Sequence, residues 1–186
     1  MKGTITLESL AFADGAVSAV HTEEVSLAPG AGVSKYFHAN NITALSGATH
    51  MLIATVREDS TAGGGAVRTT NEIALLPPKA MQLRAAAVTA TLTPVPNTDS
   101  TYDVSLSANA TALYVTLTTL AHGRFSDNFF AMGAGTHRTV KFVPFSTFNA
   151  SMLAPSLRVE HLQMYLGNGT AGAEMAYGPK FVKADE

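Results

Sequence analysis

The sequence predicts an all-β chain of two antiparallel β-sandwiches in tandem. Apolar residues alternate with polar residues at period two over most of the 186 positions. The strand-like runs are short, and turn residues such as Gly, Pro and Asn separate them. Two adjacent prolines, Pro77 and Pro78, interrupt the pattern. Because neither can donate a backbone hydrogen bond to a sheet, we predict a first domain at 1–77 and a second at 78–186.

The first domain begins with a predicted strand in which Ile5 and Leu7 alternate with polar residues. Residues 51–56 are apolar on both faces, which favours a central strand. The other predicted elements are a turn at 28–30, a strand at 33–37, a short helical turn at 40–45, a flexible hairpin tip at 61–65 and a strand at 69–76.

The second domain contains the clearest alternation. At 102–107, Tyr102, Val104 and Leu106 share one face and the polar residues share the other. Leu120 falls out of phase with the preceding strand, which predicts a β-bulge there. Alternation at Val88, Ala90 and Leu92, at Leu113, Val115 and Leu117, at Val140 and Phe142, and at Leu157, Val159 and Leu162 predicts the remaining strands.

Strand length and domain size together favour a particular kind of sandwich. Each half is close to the roughly 100 residues of an immunoglobulin-like sandwich. The faces are rich in Thr and β-branched residues, which suit a pleated sheet. The predicted fold is therefore two immunoglobulin-like β-sandwiches in tandem.

Composition argues against several classes of function. Charged residues make up 14% and the net charge is −2, without the basic patch that phosphate backbones require. No run approaches the ~20 apolar residues of a membrane-spanning helix. With no cysteine, the chain can form neither a disulfide nor a thiolate metal site. We expect no nucleic-acid partner and no membrane insertion.

No residue pattern predicts catalysis, a metal or a cofactor. The adjacent Glu23 and Glu24 would point to opposite faces of a strand, which is unsuitable for a catalytic pair. The glycines at 63–65 lack the Lys and the helix start of a phosphate-binding loop. None of the histidines has ligand spacing: His21, His38, His50, His122, His137 and His161.

The segment between the strands predicted at 113–120 and 139–145, here called the signature segment, is unusually dense in aromatic and polar side chains: Gly123, Arg124, Phe125, Ser126, Asp127, Asn128, Phe129 and Phe130. We expect its phenylalanines to close the end of the sandwich. Asp127 and Asn128 would accept turn N–H groups, and Arg124 would pair with a carboxylate or a ring. The alternative is that Arg124 and Asp127 contact a substrate.

The signature segment, followed by Met132 and 136–142, closely resembles the C-terminal immunoglobulin-like domain of β-mannosidases, the lysosomal-type enzymes in particular. These belong to the glycoside hydrolase family that also contains β-galactosidases and β-glucuronidases. The resemblance extends over about 66–165. Residues 1–60 are similar only in pattern, to the preceding sandwich of such enzymes.

The resemblance implies a non-catalytic accessory region. Family members hydrolyse terminal non-reducing β-D-mannose with retention, using two glutamates on a (β/α)₈ barrel of about 250 residues. The implied partner is that barrel. Residues 2–7 resemble the second strand of the first domain. A first strand would then be missing, and the unpaired edge could bind a second copy as a homodimer.

Four sequons are candidate N-glycosylation sites, at Asn41, Asn109, Asn149 and Asn168. Together with the resemblance they predict a lysosomal or secreted protein. Two alternatives to the accessory role remain open, a stand-alone carbohydrate-binding module and an adhesion-type sandwich. An exo-β-glucosaminidase parent would share much of the signature segment.

Overall fold

The computed structural model describes residues 2–26, 28, 30, 45–59, 66–96, 101–145 and 149–166. The strand predicted at 33–37, most of the turn at 40–45 and the hairpin tip at 61–65 lie outside these residues. The described chain is mostly β-strand in antiparallel sheets, consistent with immunoglobulin-like sandwich domains. The predicted fold class is therefore confirmed.

The first half contributes one four-stranded sheet. Its strands are β1 (Lys2–Ala11), β2 (Val17–Ser26), β3 (His50–Glu58) and β4 (Val67–Ile73), in the order β2-β1-β3-β4. Strand β3 pairs with both β1 and β4, as predicted from its apolar faces. Strand β1 also has a neighbour on each side, so β2 and β4 are the edges of this sheet among the described residues.

The second half forms a sandwich of two sheets. One has the order β5-β6-β10-β8 and the other the order β11-β7-β9. Side chains from both sheets fill a common core, with Val104, Val115 and Phe142 at its centre. The strands are β5 (Val88–Pro94), β6 (Tyr102–Ala108), β7 (Ala112–Thr118), β8 (Gly123–Phe125), β9 (Phe130–Met132), β10 (His137–Pro144) and β11 (Arg158–Glu160).

Two details of the predicted sandwich were wrong. Leu120 is exposed in a bend after β7. The register irregularity lies earlier, between Ala112 and Val115. The final strand is also shorter than predicted, because Leu162 begins a 3-10 helix. The short helices are 3-10 turns at Pro78–Ala80, Ala150–Met152 and Leu162–Met164, and α1 (Leu153–Ser156).

A buried cluster, here called the interface cluster, joins the first sheet to the sandwich: Leu10, Phe12, Met51, Met81 and Leu113. Residues on both sides of Pro77 and Pro78 contribute to it. Apolar burial of this kind stabilises by about 25 cal/mol per Å² removed from water. The predicted domain boundary at 77 and 78 stays a prediction, and the interface cluster contains residues from both sides of it.

Backbone contacts reinforce the interface cluster. The turn between β1 and β2 approaches the turn after β9 so closely that a Cβ on Gly15 would lie 2.2 Å from the backbone N of Ala134. Gly15 also has φ +73, a conformation that other residues adopt at a cost. Beside it, the hydroxyl of buried Thr111 donates to the carbonyl of Ala11 at 3.4 Å. These contacts fix the first sheet against the sandwich.

Candidate functional site

A cleft of about 600 Å³ lies between the edge strand β4 and the signature segment. Its walls therefore come from both halves of the chain. The lining is mostly polar, with aromatic side chains on the sandwich side: Val67, Thr70, Asn71, Glu72, Tyr114, Asp127, Asn128, Phe129, Phe130 and Arg138.

Glu72 lines this cleft from β4. It lies opposite Ile53, and alternation places it on the same face as Met51 of the interface cluster. The N–H of Ala131 donates to both carboxylate oxygens of Glu72, at 2.7 and 2.8 Å. Burial raises the pKa of this carboxyl above 4.5, although the Ala131 hydrogen bond and Arg138 oppose the shift. Glu72 thus links the first sheet to β9.

Asn128 holds the signature segment to the sandwich. Its side-chain oxygen accepts the N–H of Leu117 at 2.7 Å, and its amide nitrogen donates to the Leu117 carbonyl at 2.9 Å. The same oxygen accepts the N–H of Phe129 at 3.1 Å. Asn128 therefore pairs with Leu117 as a strand residue would, and its amide group serves the backbone rather than a ligand.

Ser126 and Gly123 attach the segment to β10. The N–H of Ser126 donates to the Lys141 carbonyl at 2.7 Å, and the Lys141 N–H returns a bond to the Ser126 hydroxyl at 3.0 Å. A Cβ on Gly123 would lie 2.2 Å from the ring of Phe142, which is fully buried. The ring of Phe125 meets Phe142 edge-on at 5.4 Å. Only glycine leaves room for this ring at position 123.

Asp127 and Arg138 form an ion pair beside the cleft. The guanidinium of Arg138 also lies over the ring of buried Phe130, 3.8 Å from its centroid. Arg138 thus makes the ion pair and the ring contact that the sequence predicts for Arg124. Arg124 is exposed, and within the described residues no ion pair or ring contact involves it. Arg138 and strand β4 line the same cleft. They are far apart in the sequence, so no local sequence pattern predicts that they lie close together.

The phenylalanines divide between core and surface. Phe130 is 3% exposed and fills the sandwich, whereas Phe129 is 63% exposed. The prediction that Phe129 closes the sandwich end was therefore wrong. Its ring instead stacks on Tyr114 with centroids 4.7 Å apart and planes 2° apart. Both residues have positive φ, 56° for Tyr114 and 61° for Phe129. This is rare for aromatic residues and costs conformational energy.

The other candidate residues lie away from the cleft. In the described part of the chain, no group of three His, Asp or Glu side chains could hold a metal. Burial lowers the pKa of His161, whose ring bonds Gln163 at 3.3 Å. His38 lies outside the described residues, and no described helix is long and apolar enough to cross a membrane. The absence of catalytic residues stays a prediction.

Two of the candidate glycosylation sites can be placed. Asn109 is exposed, but its side-chain oxygen accepts the N–H of Ala87 at 2.8 Å. Asn149 is exposed and caps a 3-10 turn by accepting the N–H of Ser151 at 3.1 Å. Asn41 and Asn168 lie outside the described residues. Modification of these asparagines stays a prediction.

Comparison with known proteins identifies the kind of domain that the sandwich forms. Residues 83–164 match a family model of an Ig-fold domain, Ig_mannosidase. A solved structure of similar fold is the β-D-mannosidase from Dictyoglomus thermophilum, with a TM-score of 0.54 and 14% identity over 87% of this chain. The match spans only 18% of that enzyme. No curated protein matches the chain. The second half is thus an Ig-fold domain of β-mannosidase type.

Phe130→Ala is expected to lower the free energy of unfolding by about 3–5 kcal/mol, because it empties a buried aromatic site and removes the surface under Arg138. Phe129→Ala serves as the matched control, and we expect a loss of less than about 1.5 kcal/mol from the stacked pair. Urea titration of both variants measures the difference. Equal losses of unfolding free energy in the two variants would contradict the assignment of Phe130 to the core and Phe129 to the surface.

Glu72→Ala is expected to destabilise the chain by about 1 kcal/mol, since the Ala131 N–H loses its acceptor. Glu72→Gln keeps an acceptor without the charge, so we expect a smaller loss at neutral pH. Chemical denaturation at several pH values measures both.

The pH dependence of stability in the same variants tests whether partial burial disfavours the charged form of Glu72. Because burial raises the folded pKa of Glu72 above the ordinary value of a glutamate, its contribution is complete at pH values below that ordinary value and is lost as pH rises through the folded pKa. Wild type should therefore gain stability relative to Glu72→Gln as pH falls from neutrality. A constant difference between the two proteins would contradict this.

Proposed function

We propose that the chain is a non-catalytic accessory region of a β-mannosidase-like glycoside hydrolase. The observation that carries this proposal is the match of 83–164 to the Ig-fold domain of β-mannosidase type. The similarity to 18% of the Dictyoglomus thermophilum enzyme supports a region of comparable extent within a longer hydrolase. The parent would release terminal non-reducing β-D-mannose from oligosaccharides with retention of configuration.

Retaining hydrolysis requires a pair of carboxylates ~5 Å apart on a rigid scaffold. In this chain, the two acidic residues at the cleft already have structural partners. Glu72 accepts the Ala131 N–H, and Asp127 pairs with Arg138. Described strands pair antiparallel, whereas a catalytic barrel alternates parallel strands with helices. The chemistry is therefore assigned to a barrel elsewhere in the parent polypeptide, which this region would support.

The edges of the first sheet suit protein contacts. Strand β2 is exposed along most of its length, with Val17 and Val20 facing solvent. On β4, Val67 and Ile73 are exposed. Exposed strands with apolar side chains are natural pairing surfaces. Because β4 borders the cleft and β2 does not, we assign the β2 edge to the barrel of the parent chain or to a second copy in a homodimer.

A lysosomal or secreted location belongs to the same proposal, supported by the four sequons and the sequence resemblance. Mass spectrometry of the protein from its native source tests it, with Asn109 and Asn149 as the exposed sites. Asparagines that are all unmodified would count against that location. An exo-β-glucosaminidase is the competing parent. The competing function is that of a stand-alone carbohydrate-binding module without a catalytic parent, which the exposed Phe129 favours.

The accessory role predicts that the purified 186-residue chain has no turnover of p-nitrophenyl β-D-mannoside. A longer polypeptide, extended by the sequence encoded upstream of Met1, should hydrolyse it. Product anomers followed by NMR would show retention, and p-nitrophenyl β-glucosaminide distinguishes the competing parent. Turnover by the chain alone, or an upstream sequence without alternating strands and helices, would refute the proposal.

A further inference from the structure

The stacked aromatic pair borders the cleft and leaves much of the Phe129 ring exposed. Phe129 covers Tyr114 on one side, with 4.7 Å between centroids, and it is itself 63% exposed. Both rings line the cleft. An aromatic face carries partial negative charge and attracts C–H groups with partial positive charge. The outer face of Phe129 is therefore a flat platform for an apolar surface that carries such groups.

This platform is held in place at a conformational cost. Among the described residues, Tyr114 and Phe129 are the non-glycine residues with positive φ, and they stack on each other. Strain of this kind persists where the surrounding structure imposes it and collects at ligand-binding sites. At Tyr114 the positive φ coincides with the irregular pairing of β7 with β9. At Phe129 the sandwich core does not explain it, because the neighbouring Phe130 fills that core. With this backbone conformation at position 129, the Phe129 ring lies beside the cleft.

Polar groups surround the platform on two sides. Thr70 and Glu72 are two residues apart on β4, so their side chains lie on the same face of that strand. The Asp127–Arg138 ion pair lines the cleft from the sandwich. Arg138 is neutralised by Asp127, which leaves the carboxylate of Glu72 as the excess charge. This balance disfavours an anionic ligand such as a phosphate ester. Hydroxyl groups suit the site, since they can donate to carboxylates and accept from a guanidinium.

We propose that this cleft is a binding site for a neutral saccharide. One face of a pyranose ring would lie on Phe129, and its hydroxyls would reach Glu72, Thr70 and the Asp127–Arg138 pair. A volume of about 600 Å³ falls within the roughly 300–1,000 Å³ of small-ligand sites. The proposal rests on the cleft alone and does not depend on the accessory role.

A competing occupant is an apolar segment of another protein. Stable protein contacts bury about 800 Å² per partner and place aromatic anchors in a dry, apolar centre. Here the exposed ring instead borders a concave space whose other walls carry Thr70, Glu72 and Arg138. The observations therefore favour a small polyhydroxylated ligand over a protein surface.

The test is titration of the ¹⁵N-labelled full chain with methyl β-D-mannopyranoside, β-1,4-mannobiose and cellobiose. We expect saturable shifts of the amides of Asn128 and Ala131 with at least one of these sugars. Glucose 6-phosphate is the anionic comparison and should bind more weakly. If no neutral sugar causes saturable shifts, or if the phosphate ester binds best, the proposal is wrong. Either failure leaves the assay of the accessory role unaffected.

Variants at Phe129 separate binding from folding. Phe129→Ala should weaken sugar binding by about two- to tenfold, the equivalent of one aromatic contact. Phe129→Gly removes the ring at a position whose φ of 61 glycine adopts readily, so it should fold and show the same loss. Phe145→Ala is the matched control, since Phe145 is 53% exposed and does not line the cleft. It should bind like wild type.

Two results of the variant series would overturn the proposal. In the first, Phe129→Gly binds sugar as well as wild type, so that the ring makes no contact. In the second, Phe145→Ala loses binding to the same extent, so that the shifts do not report on the cleft. Saturable binding of an apolar peptide in place of every sugar would assign the cleft to a protein partner instead.

Discussion

The interface cluster is the constraint on which the rest of the structure depends. Leu10 and Met51 of the first sheet, together with Phe12 in the turn after β1, are buried against residues of the second half. Sandwich domains joined by a short linker commonly move relative to each other unless their interface is large and apolar. Here the buried contact also sets the distance between β4 and the signature segment. Glu72 and Gly15 then add contacts at the rim that tolerate little displacement. These contacts fix β4 at a distance from the signature segment, and the space between them is the cleft.

The signature segment divides into structural and exposed parts. Gly123, Ser126 and Asn128 are committed to ring packing or to backbone hydrogen bonds. These contacts explain the segment as a packing device. Phe129 is the exception, because it is exposed and has a backbone conformation that costs about 1–3 kcal/mol in a non-glycine residue. A turn that served packing alone would be better built with Gly or Asn at that position. A role in ligand binding would therefore account for the exposure and the strained backbone of Phe129.

Much of the sandwich was predictable, because burial on one face imposes alternation. The buried face of β6 follows the predicted pattern, and β3 is central as its apolar faces indicated. In β7, Val115 and Leu117 face the sandwich core as predicted, but Leu113 packs in the interface cluster instead. Phe129 and Phe130 show the limit of the method. Alternation implies that only one of two neighbours is buried, but the register of β9 decides which, and it depends on the preceding loop. The contact between Glu72 and Ala131 spans 59 positions, so no local pattern predicts it. The positive φ of Tyr114 likewise follows from the irregular pairing of β7 with β9.

The central claim is that the interface cluster causes the first sheet and the sandwich to unfold together. The cooperativity of unfolding tests this claim most directly. Differential scanning calorimetry of the full chain measures it, by comparing the calorimetric enthalpy with the van't Hoff enthalpy. A single transition with equal enthalpies is the predicted result. Two resolved transitions, or a van't Hoff enthalpy well below the calorimetric value, would mean that the halves unfold independently and would contradict the claim.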